Sequence, residues 1–224
     1  LGEHSEIHAL HSIITGGTEG YARHPETIRW LGHLYQLVLR HNLVMKEMIL
    51  REFKHNSALL FPIDIQDNNG KNNLSYVDLP VDQFAILDKK YFEKTQTGRI
   101  PLPKYGSDFW AHHKYSLMVR GYQYYKNIQT YMRDRHIFPI QQENDLIEKI
   151  LNYLRIEISE KALDNVILHL WGYFKNKASH EEKKLFFNTP HLLKKIDMLF
   201  MMAKKYRQHY LLHSTIFADF LPHR

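Results

Sequence analysis

Apolar residues spaced three and four positions apart recur through most of this 224-residue chain, and this spacing restricts its fold more than any other feature. In residues 3–15 the spacing puts Ile7, Leu10 and Ile14 on one face of a helix. The strict alternation that is typical of half-buried strands is almost absent. We therefore predict an all-α protein, a multi-helix bundle of about eight helices.

Start and stop signals predict where these helices lie. Pro25 and Glu26 favour the start of a long helix that bends near residues 41–42. The Asn- and Asp-rich stretch 62–80 predicts a surface loop or a short hairpin, and residues 98–107 are predicted to be extended. Four side chains are predicted to cap later helices: Ser107, Ser159, Ser179 (with Glu182 as a capping box) and Thr189.

Composition excludes several classes of protein. The chain has no cysteine, which excludes disulfides, thiolate metal sites and a cysteine nucleophile. No apolar run approaches the roughly 20 residues of a membrane span, and no signal peptide is visible. We therefore expect a cytoplasmic protein without membrane contact. Because the chain opens in a helical pattern without an initiator Met, we also expect the natural N-terminus to lie upstream.

Charge is distributed unevenly between the two halves. Residues 1–112 contain 12 lysines and arginines against 13 acidic residues, a net charge of −1. The remainder contains 18 against 11, a net charge of +7. A basic half permits contact with a polyanion such as DNA, although many cytosolic proteins are equally basic.

The opening stretch LGEHSEIHALHS raises the question of a metal site. On a helical wheel His4, His8 and His11 fall within about 60° of one another. Two histidines four residues apart can bind zinc, but HSEIH is not the H-E-x-x-H motif of metalloproteases. We expect a polar helix face without a metal, and a metal-dependent enzyme that uses these three histidines is the third alternative.

Two glutamates share this helix with the histidines. Glu3 falls among the apolar residues of the face that a helix normally buries, and Glu6 lies at the edge of that face. A carboxylate against apolar walls suits acid–base work or stabilisation of a cation. The alternative is a glutamate paired with an Arg or Lys of another helix, and wheel geometry by itself leaves both interpretations open.

Four blocks in the first 110 residues resemble the pyrimidine-dimer DNA glycosylases of the endonuclease V type. They are LGEHSEIHAL, GYARHPETIRWLGHL, RHNLVMKEMILREFKHNSAL and DLPVDQFAILDKKYFEKTQTGRIPLP. The E-x-x-E motif of that family falls on Glu3 and Glu6, and the family's catalytic glutamate falls on Glu6. The family carries arginines beside this glutamate, where this chain has Ser5 and Ala9.

The resemblance implies a DNA repair glycosylase with associated AP-lyase activity and no cofactor. The α-amine of an N-terminal Thr attacks C1′ of the damaged nucleotide, a Schiff base forms, and β-elimination nicks the strand. This chain begins Leu1-Gly2, and in the family the amine lies further upstream. Glu6 and Glu3 are the candidate catalytic residues, and damaged double-stranded DNA is the implied partner. The candidate DNA-binding residues of this half are His8, Arg23, His24 and Arg29.

Residues 110–210 resemble the YbgA-type helical domain. The blocks that carry this resemblance are HHKYSLMVRGYQYYKNI and NVILHLWGYFKNKASHEEK. Asn165, His169 and Gly172 share one helical face, which either binds a phosphate or partner backbone, or packs tightly with His169 in the core. The aromatic and basic residues from Lys114 to Arg135 favour packing over stacking on bases.

These observations define two predicted domains and two candidate functions. Residues 1–106 form a glycosylase-like helical domain, and residues 107–224 form a YbgA-like basic helical domain packed on it. Three basic residues of the second domain, Lys204, Lys205 and Arg207, are the candidate contacts to phosphate. The leading function is excision of damaged bases, and the alternative is a non-catalytic nucleic-acid-binding or interaction protein that kept the scaffold.

Overall fold

The computed structural model describes residues 2–16, 21–54, 57–59, 76–95, 98–133, 136 and 138–220. Within these ranges the chain forms twelve α-helices, one short 3-10 helix and no strand, so the predicted all-α class is confirmed. The helices outnumber the predicted eight because long apolar patterns are divided and two short helices end the chain. None of the described helices is long and apolar enough to cross a membrane.

The chain divides into two compact units, Leu1–Leu79 and Pro80–Arg224. The first unit contains α1 (Gly2–Gly16), α2 (Pro25–Trp30) and α3 (Leu34–Leu50). The helices of the second unit are α4 (Pro80–Lys94), α5 (Gly106–Arg120), α6 (Tyr122–Arg133), α7 (Asn144–Leu154), α8 (Glu160–Trp171), α9 (His180–Asn188), α10 (Leu192–Lys205), α11 (His209–Leu212) and α12 (Ile216–Phe220), with the 3-10 helix at Ile140–Gln142.

In the first unit, α1 packs against both α2 and α3. Ile7 of α1, Trp30 of α2 and Leu37 of α3 are buried together in one apolar cluster. Leu10 and Ile14 pack against this cluster, as the wheel of residues 3–15 predicts. The apolar face of α1 is therefore covered, and its polar residues lie along the edges of the contact.

The long helix predicted from Pro25 onward is wrong in one respect. It is two helices, because the chain leaves the helical conformation after Trp30 and Gly32 adopts a φ of +78°. A positive φ of this size is favourable only for glycine, so Gly32 permits the turn that separates α2 from α3. Helix α3 runs through residues 41–42 without a break, and the bend predicted there stays a prediction.

Helix α5 is the centre of the second unit. It contacts α6, α7, α8 and α12, and its five consecutive residues 115–119 are all buried. A helix that is buried all round lies inside a core rather than at its surface. Phe109 and Leu117 of α5 belong to an apolar cluster that also contains Val81, Ile128 and Ile147.

Two of the four predicted caps occupy their predicted positions. Ser179 and Glu182 form the capping box of α9: the Glu182 backbone N–H donates to Ser179 Oγ, and the Ser179 N–H donates to Glu182 Oε2. Ser159 occupies the N-cap position of α8, but its side chain makes no capping hydrogen bond.

The other two predicted caps are wrong. The N-cap residue of α5 is Tyr105 rather than Ser107, and Asp108 Oδ2 accepts hydrogen bonds from the backbone N–H groups of Lys104 and Tyr105. Thr189 ends α9 instead of starting α10, because its hydroxyl donates to the backbone carbonyl of Leu185 in the preceding turn.

The boundary between the two units falls between Leu79 and Pro80 in the sequence. This is earlier in the chain than the predicted boundary between residues 106 and 107. Helix α4 belongs to the second unit because Val81 and Phe84 pack into the same apolar cluster as Phe109. The predicted boundary marks where the two family resemblances meet, and it stays a prediction. Most of the loop predicted at 62–80 lies outside the described residues.

Replacing Gly32 with alanine tests the turn between α2 and α3. A Cβ at this position meets nothing within 4 Å, so the cost of Gly32→Ala is backbone strain alone. We expect the free energy of unfolding to fall by about 1–2 kcal/mol. Gly16→Ala is the matched control, because it also opens into empty space but lies at the end of a helix. Urea denaturation of both variants measures the difference, and equal stabilities would contradict a strained turn.

Candidate functional site

The two glutamates of α1 have different surroundings. Glu3 is held by α3: Arg40 Nη2 lies 2.6 Å from Glu3 Oε1, and Arg40 Nε donates to the same oxygen at 2.8 Å. This is the pairing with another helix that the sequence left open. Glu6 is exposed and has no hydrogen bond or ion pair among the described residues. Of the two carboxylates, Glu6 is therefore the one available to a ligand.

Three imidazole rings meet between α1 and α3. His8 Nε2 lies 3.2 Å from His4 Nε2 and 3.2 Å from His41 Nε2. The three ligand nitrogens lie within 4.8 Å of one another, and His41 is completely buried. Ser57 Oγ also lies 3.3 Å from His8 Nε2. The structure thus places the candidate DNA-binding residue His8 inside a histidine cluster.

The third member of the predicted histidine face, His11, does not belong to this cluster. Its Nε2 is buried and has no hydrogen-bond partner among the described residues. The ring that joins His4 and His8 comes instead from α3. The wheel of a single helix could not reveal this partner, because the cluster depends on how two helices pack.

Two of the three candidate DNA-binding residues around α2 already contact other groups of the protein. Arg29 forms ion pairs with both Glu26 and Asp78. His24 is the N-cap of α2, and its Nδ1 accepts a hydrogen bond from the Glu26 N–H at 3.3 Å. Arg23 is exposed and has no partner among the described residues. Arg23 is therefore the most available cation of this segment.

The three basic candidates at the end of α10 also differ from one another. Lys205 Nζ lies 2.7 Å from Glu182 Oε1, and the Lys205 hydrogen bond is the first cause that lowers the pKa of Glu182 to about 2. Lys204 is exposed, with Nζ 4.7 Å from the centre of the Phe200 ring. Arg207 is exposed, and no described residue pairs with its side chain.

Residues that carry the second resemblance come together in the second unit. Lys114 Nζ lies 4.7 Å from the ring centres of both Tyr115 and Tyr210, which is a cation–π arrangement. The Tyr115 hydroxyl donates to the Tyr173 hydroxyl at 3.0 Å, and Tyr173 stacks on Tyr210. Burial, followed by the hydrogen bond with Tyr173, raises the pKa of Tyr115, so this hydroxyl stays protonated.

A polar network beside this aromatic group joins α5 to α12 and to Thr215, the residue before α12. His113 Nδ1 lies 3.1 Å from Thr215 Oγ1, which lies 2.8 Å from Ser116 Oγ. Arg120 contacts both carboxylate oxygens of Asp219, at 3.0 and 3.1 Å. Burial, followed by the positive charges of neighbouring groups, lowers the pKa of His113 to about 3. The imidazole is therefore neutral at physiological pH.

The face formed by Asn165, His169 and Gly172 is solvent-exposed at all three residues. A Cβ at Gly172 would meet only the backbone of its own helix, at the carbonyls of His169 and Leu168. The interpretation that placed His169 in the core with tight packing at Gly172 is therefore wrong. The exposed face is compatible with binding a partner.

Two known families match separate parts of the chain. Residues 1–60 match the pyrimidine dimer DNA glycosylase family. We call them the glycosylase region; they contain all of α1, α2 and α3. Residues 114–220 match a family described as a protein of unknown function, DUF1722. Both resemblances seen in the sequence are thus confirmed, the first over a shorter stretch than the sequence indicated and the second over a stretch of similar length that ends ten residues later. No curated protein and no solved structure matches the chain.

The sequence did not identify His41 as a member of the histidine cluster or Tyr210 as a member of the aromatic group around Lys114. His41 was interpreted as part of a bend, although it occupies an apolar-face position of α3 between Leu37 and Met48. A histidine at such a position is a signal that the sequence does carry. The sequence carries no comparable signal for Tyr210. Helix α10 ends at Lys205 and Arg207 adopts a φ of +49°, so the helical spacing before this point does not predict where Tyr210 lies.

The neutral state of His113 predicts a dependence of stability on pH. In the unfolded chain this imidazole regains an ordinary pKa near 6.5, so unfolding takes up a proton at acidic pH. Stability is fully present above pH 6.5 and is lost as the pH falls toward 3. Each proton contributes up to about 1.4 kcal/mol per pH unit. Burial lowers the pKa of the half-buried His112 and His213 as well, so they act in the same direction.

Urea denaturation of the wild type and of His113→Gln between pH 4 and 8 measures this effect. We expect a smaller slope of stability against pH in His113→Gln, even where the variant is less stable overall. His169→Gln is the matched control, because this histidine is exposed in the same unit. An identical slope in the wild type and His113→Gln would show that His113 is not the group that takes up the proton.

Proposed function

We propose that this protein is a DNA repair glycosylase with associated AP-lyase activity that acts on pyrimidine-dimer-type damage in double-stranded DNA. The observation that carries the proposal is an exposed, unpaired Glu6 inside the glycosylase region. The match supports a DNA substrate, and the position of Glu6 supports a carboxylate that is free to face a ligand. The cytoplasmic location expected from the sequence stays a prediction.

The proposed reaction proceeds through an amine nucleophile. The N-terminal α-amine attacks the sugar C1′, and the bond from C1′ to the damaged base breaks. The C1′–O4′ bond then breaks as O4′ takes up a proton, which opens the sugar and leaves a Schiff base between C1′ and the amine. Loss of a proton from C2′ expels the 3′ phosphate by β-elimination. Glu6 stabilises the cationic sugar and accepts or returns protons during these steps. Glu3, which is tied to Arg40, positions α1 rather than meeting the substrate.

The proposed DNA contacts follow from which cations are available. Arg23 and Arg207 are exposed and unpaired among the described residues, so they can contact phosphate without giving up another partner. Arg29 and Lys205 would have to share or leave a carboxylate. Lys204 and His24 complete the proposed contacts, although the His24 ring already caps α2. His8 is not among them, because its ring is held inside the histidine cluster.

The alternative function is a nucleic-acid-binding protein without catalysis. It is favoured by Ser5 and Ala9, which stand where the resembled family has arginines. Such a protein would bind DNA through the same cations but would leave damaged bases in place. Activity assays, rather than binding assays, therefore distinguish the two candidates.

Glu6→Gln is the direct test of the proposed catalytic role. The change keeps the shape of the side chain and removes its charge, so folding and DNA affinity should remain nearly intact. Turnover should fall by about two to four powers of ten, the usual scale for a catalytic acid–base group. The protein is expressed from its native start codon, incubated with UV-irradiated duplex, and treated with borohydride to trap the Schiff base.

The matched control is Glu93→Gln, which neutralises an exposed carboxylate of α4 outside the glycosylase region. We expect this variant to excise at the wild-type rate. Excision by Glu6→Gln at the wild-type rate would show that the family's role does not transfer to Glu6. A Glu6→Gln protein that unfolds would assign the residue a structural role. A wild-type protein that traps nothing on damaged duplex would favour the binding alternative.

Salt dependence tests the proposed DNA contacts of α10. Replacing Lys204, Lys205 and Arg207 together with glutamine should weaken binding and flatten the slope of log K against log salt. The slope should change by up to about one unit for each phosphate that the variant no longer neutralises. Arg207→Gln alone should change the slope more than Lys205→Gln alone, because Lys205 is already paired with Glu182.

Fluorescence anisotropy with a labelled duplex at several salt concentrations provides the slopes. Lys89→Gln is a suitable control, since this lysine belongs to a weak exposed pair within α4. An unchanged slope in the triple variant would place the phosphate contacts elsewhere. The absence of wild-type binding at low salt would count against both candidate functions.

A further inference from the structure

The histidine cluster between α1 and α3 is not used by the proposed excision chemistry. His4 and His8 lie one turn apart on α1, and His41 reaches them from the middle of α3. The ring centres of the three histidines lie 4.6 to 5.1 Å apart, and no pair of rings is parallel. The rings therefore converge on one another through their Nε2 atoms instead of stacking face to face.

Hydrogen bonds between these nitrogens and the Ser57 hydroxyl cannot all be satisfied at once. A neutral imidazole nitrogen carries either one hydrogen or one lone pair. His8 Nε2, however, has three neighbours within 3.3 Å: His4 Nε2, His41 Nε2 and Ser57 Oγ. A single hydrogen or lone pair in the plane of the ring satisfies only one of them well. Protonation of all three rings is no alternative, because it would place like charges side by side around a buried His41.

The distances agree with the spacing of ligands around a metal ion. Zinc binds imidazole nitrogens at about 2.0–2.1 Å in a tetrahedral arrangement, which separates two ligand nitrogens by about 3.3 Å. Two edges of the cluster measure 3.2 Å, and the third edge lies within 4.8 Å. A modest rotation of the half-buried His4 ring would close the third edge.

The surroundings of His41 also suit a ligand. Its Nδ1 lies 3.4 Å from Asn42 Oδ1, which can accept the Nδ1 hydrogen. That contact would leave the lone pair on Nε2, the nitrogen that faces the cluster. Metal-binding histidines commonly have their second nitrogen held by an oxygen in this way. The ion pair between Glu3 and Arg40 holds the same two helices together, one residue away from His4 and His41.

We propose that His4, His8 and His41 bind one divalent transition-metal ion of the zinc class and thereby join α1 to α3. Three protein ligands leave a fourth position, which water fills beside the Ser57 hydroxyl. The sequence led us to expect no metal, because HSEIH does not match the metalloprotease motif, and the third histidine considered there was His11 instead of His41. The proposal does not rest on the glycosylase reaction, since a protein without excision activity would still bind the ion.

Metal content and spectroscopy test the proposal on the full chain without an affinity tag. The protein is stripped with a chelator, dialysed, and titrated with ZnCl2 and with CoCl2. We expect one equivalent of zinc per chain, a cobalt complex with the visible absorption of a four-coordinate site, and a Tm that rises by a few degrees with zinc and falls again with chelator. His8→Ala should abolish all three signals.

His11→Gln is the matched control, because His11 lies on the same helix but outside the cluster. The His11→Gln protein should bind one equivalent of zinc, as the wild type does. Loss of zinc in His11→Gln together with retention in His8→Ala would overturn the assignment. Circular dichroism verifies that each variant is folded, and His4→Ala replaces His8→Ala if that variant unfolds. If both unfold, the wild-type cobalt spectrum decides, and the absence of a stoichiometric four-coordinate complex refutes the site.

Discussion

Burial of Ile7 against Trp30 and Leu37 fixes the helix that carries both glutamates. Each fully buried apolar side chain of this size stabilises the folded state by about 1.5–3 kcal/mol. The ion pair between Glu3 and Arg40 is half-exposed and contributes about 1 kcal/mol or less. The apolar contact therefore contributes most to holding α1 against α2 and α3. The ion pair and the histidine contacts determine which polar side chains of α1 remain available to a ligand.

Carboxylates close to the basic side chains restrict which candidate residues can contact DNA. Arg29 and Lys205 have acidic partners within the chain, so a phosphate would compete with an existing ion pair. Arg23 and Arg207 have no such partner among the described residues. The same distinction separates Glu3 from Glu6. From sequence position alone, all of these residues were equally good candidates for contacting DNA. Their neighbours in the folded structure distinguish those that are paired from those that are available.

The sequence predicted those features that depend on neighbours along the chain. The helix over residues 3–15 and the capping box of Ser179 follow from spacing and local hydrogen bonds. The turn at Gly32 was missed because an isolated glycine within an apolar pattern is often tolerated inside a helix. His41 was misjudged because its partners belong to another helix. Contacts between helices need the folded structure.

The burial of helix α5 limits where a fragment of this protein can begin and still contain a complete apolar core. The match to the family of unknown function begins at residue 114, but α5 begins at Gly106. A fragment cut at the family boundary would begin inside this helix, and it would lack Phe109 and Val81 of the apolar cluster that surrounds Leu117. The stretch of sequence shared with relatives is therefore smaller than the stretch needed to complete a core. The shortest fragment that retains this core begins at Pro80, the first residue of the second compact unit.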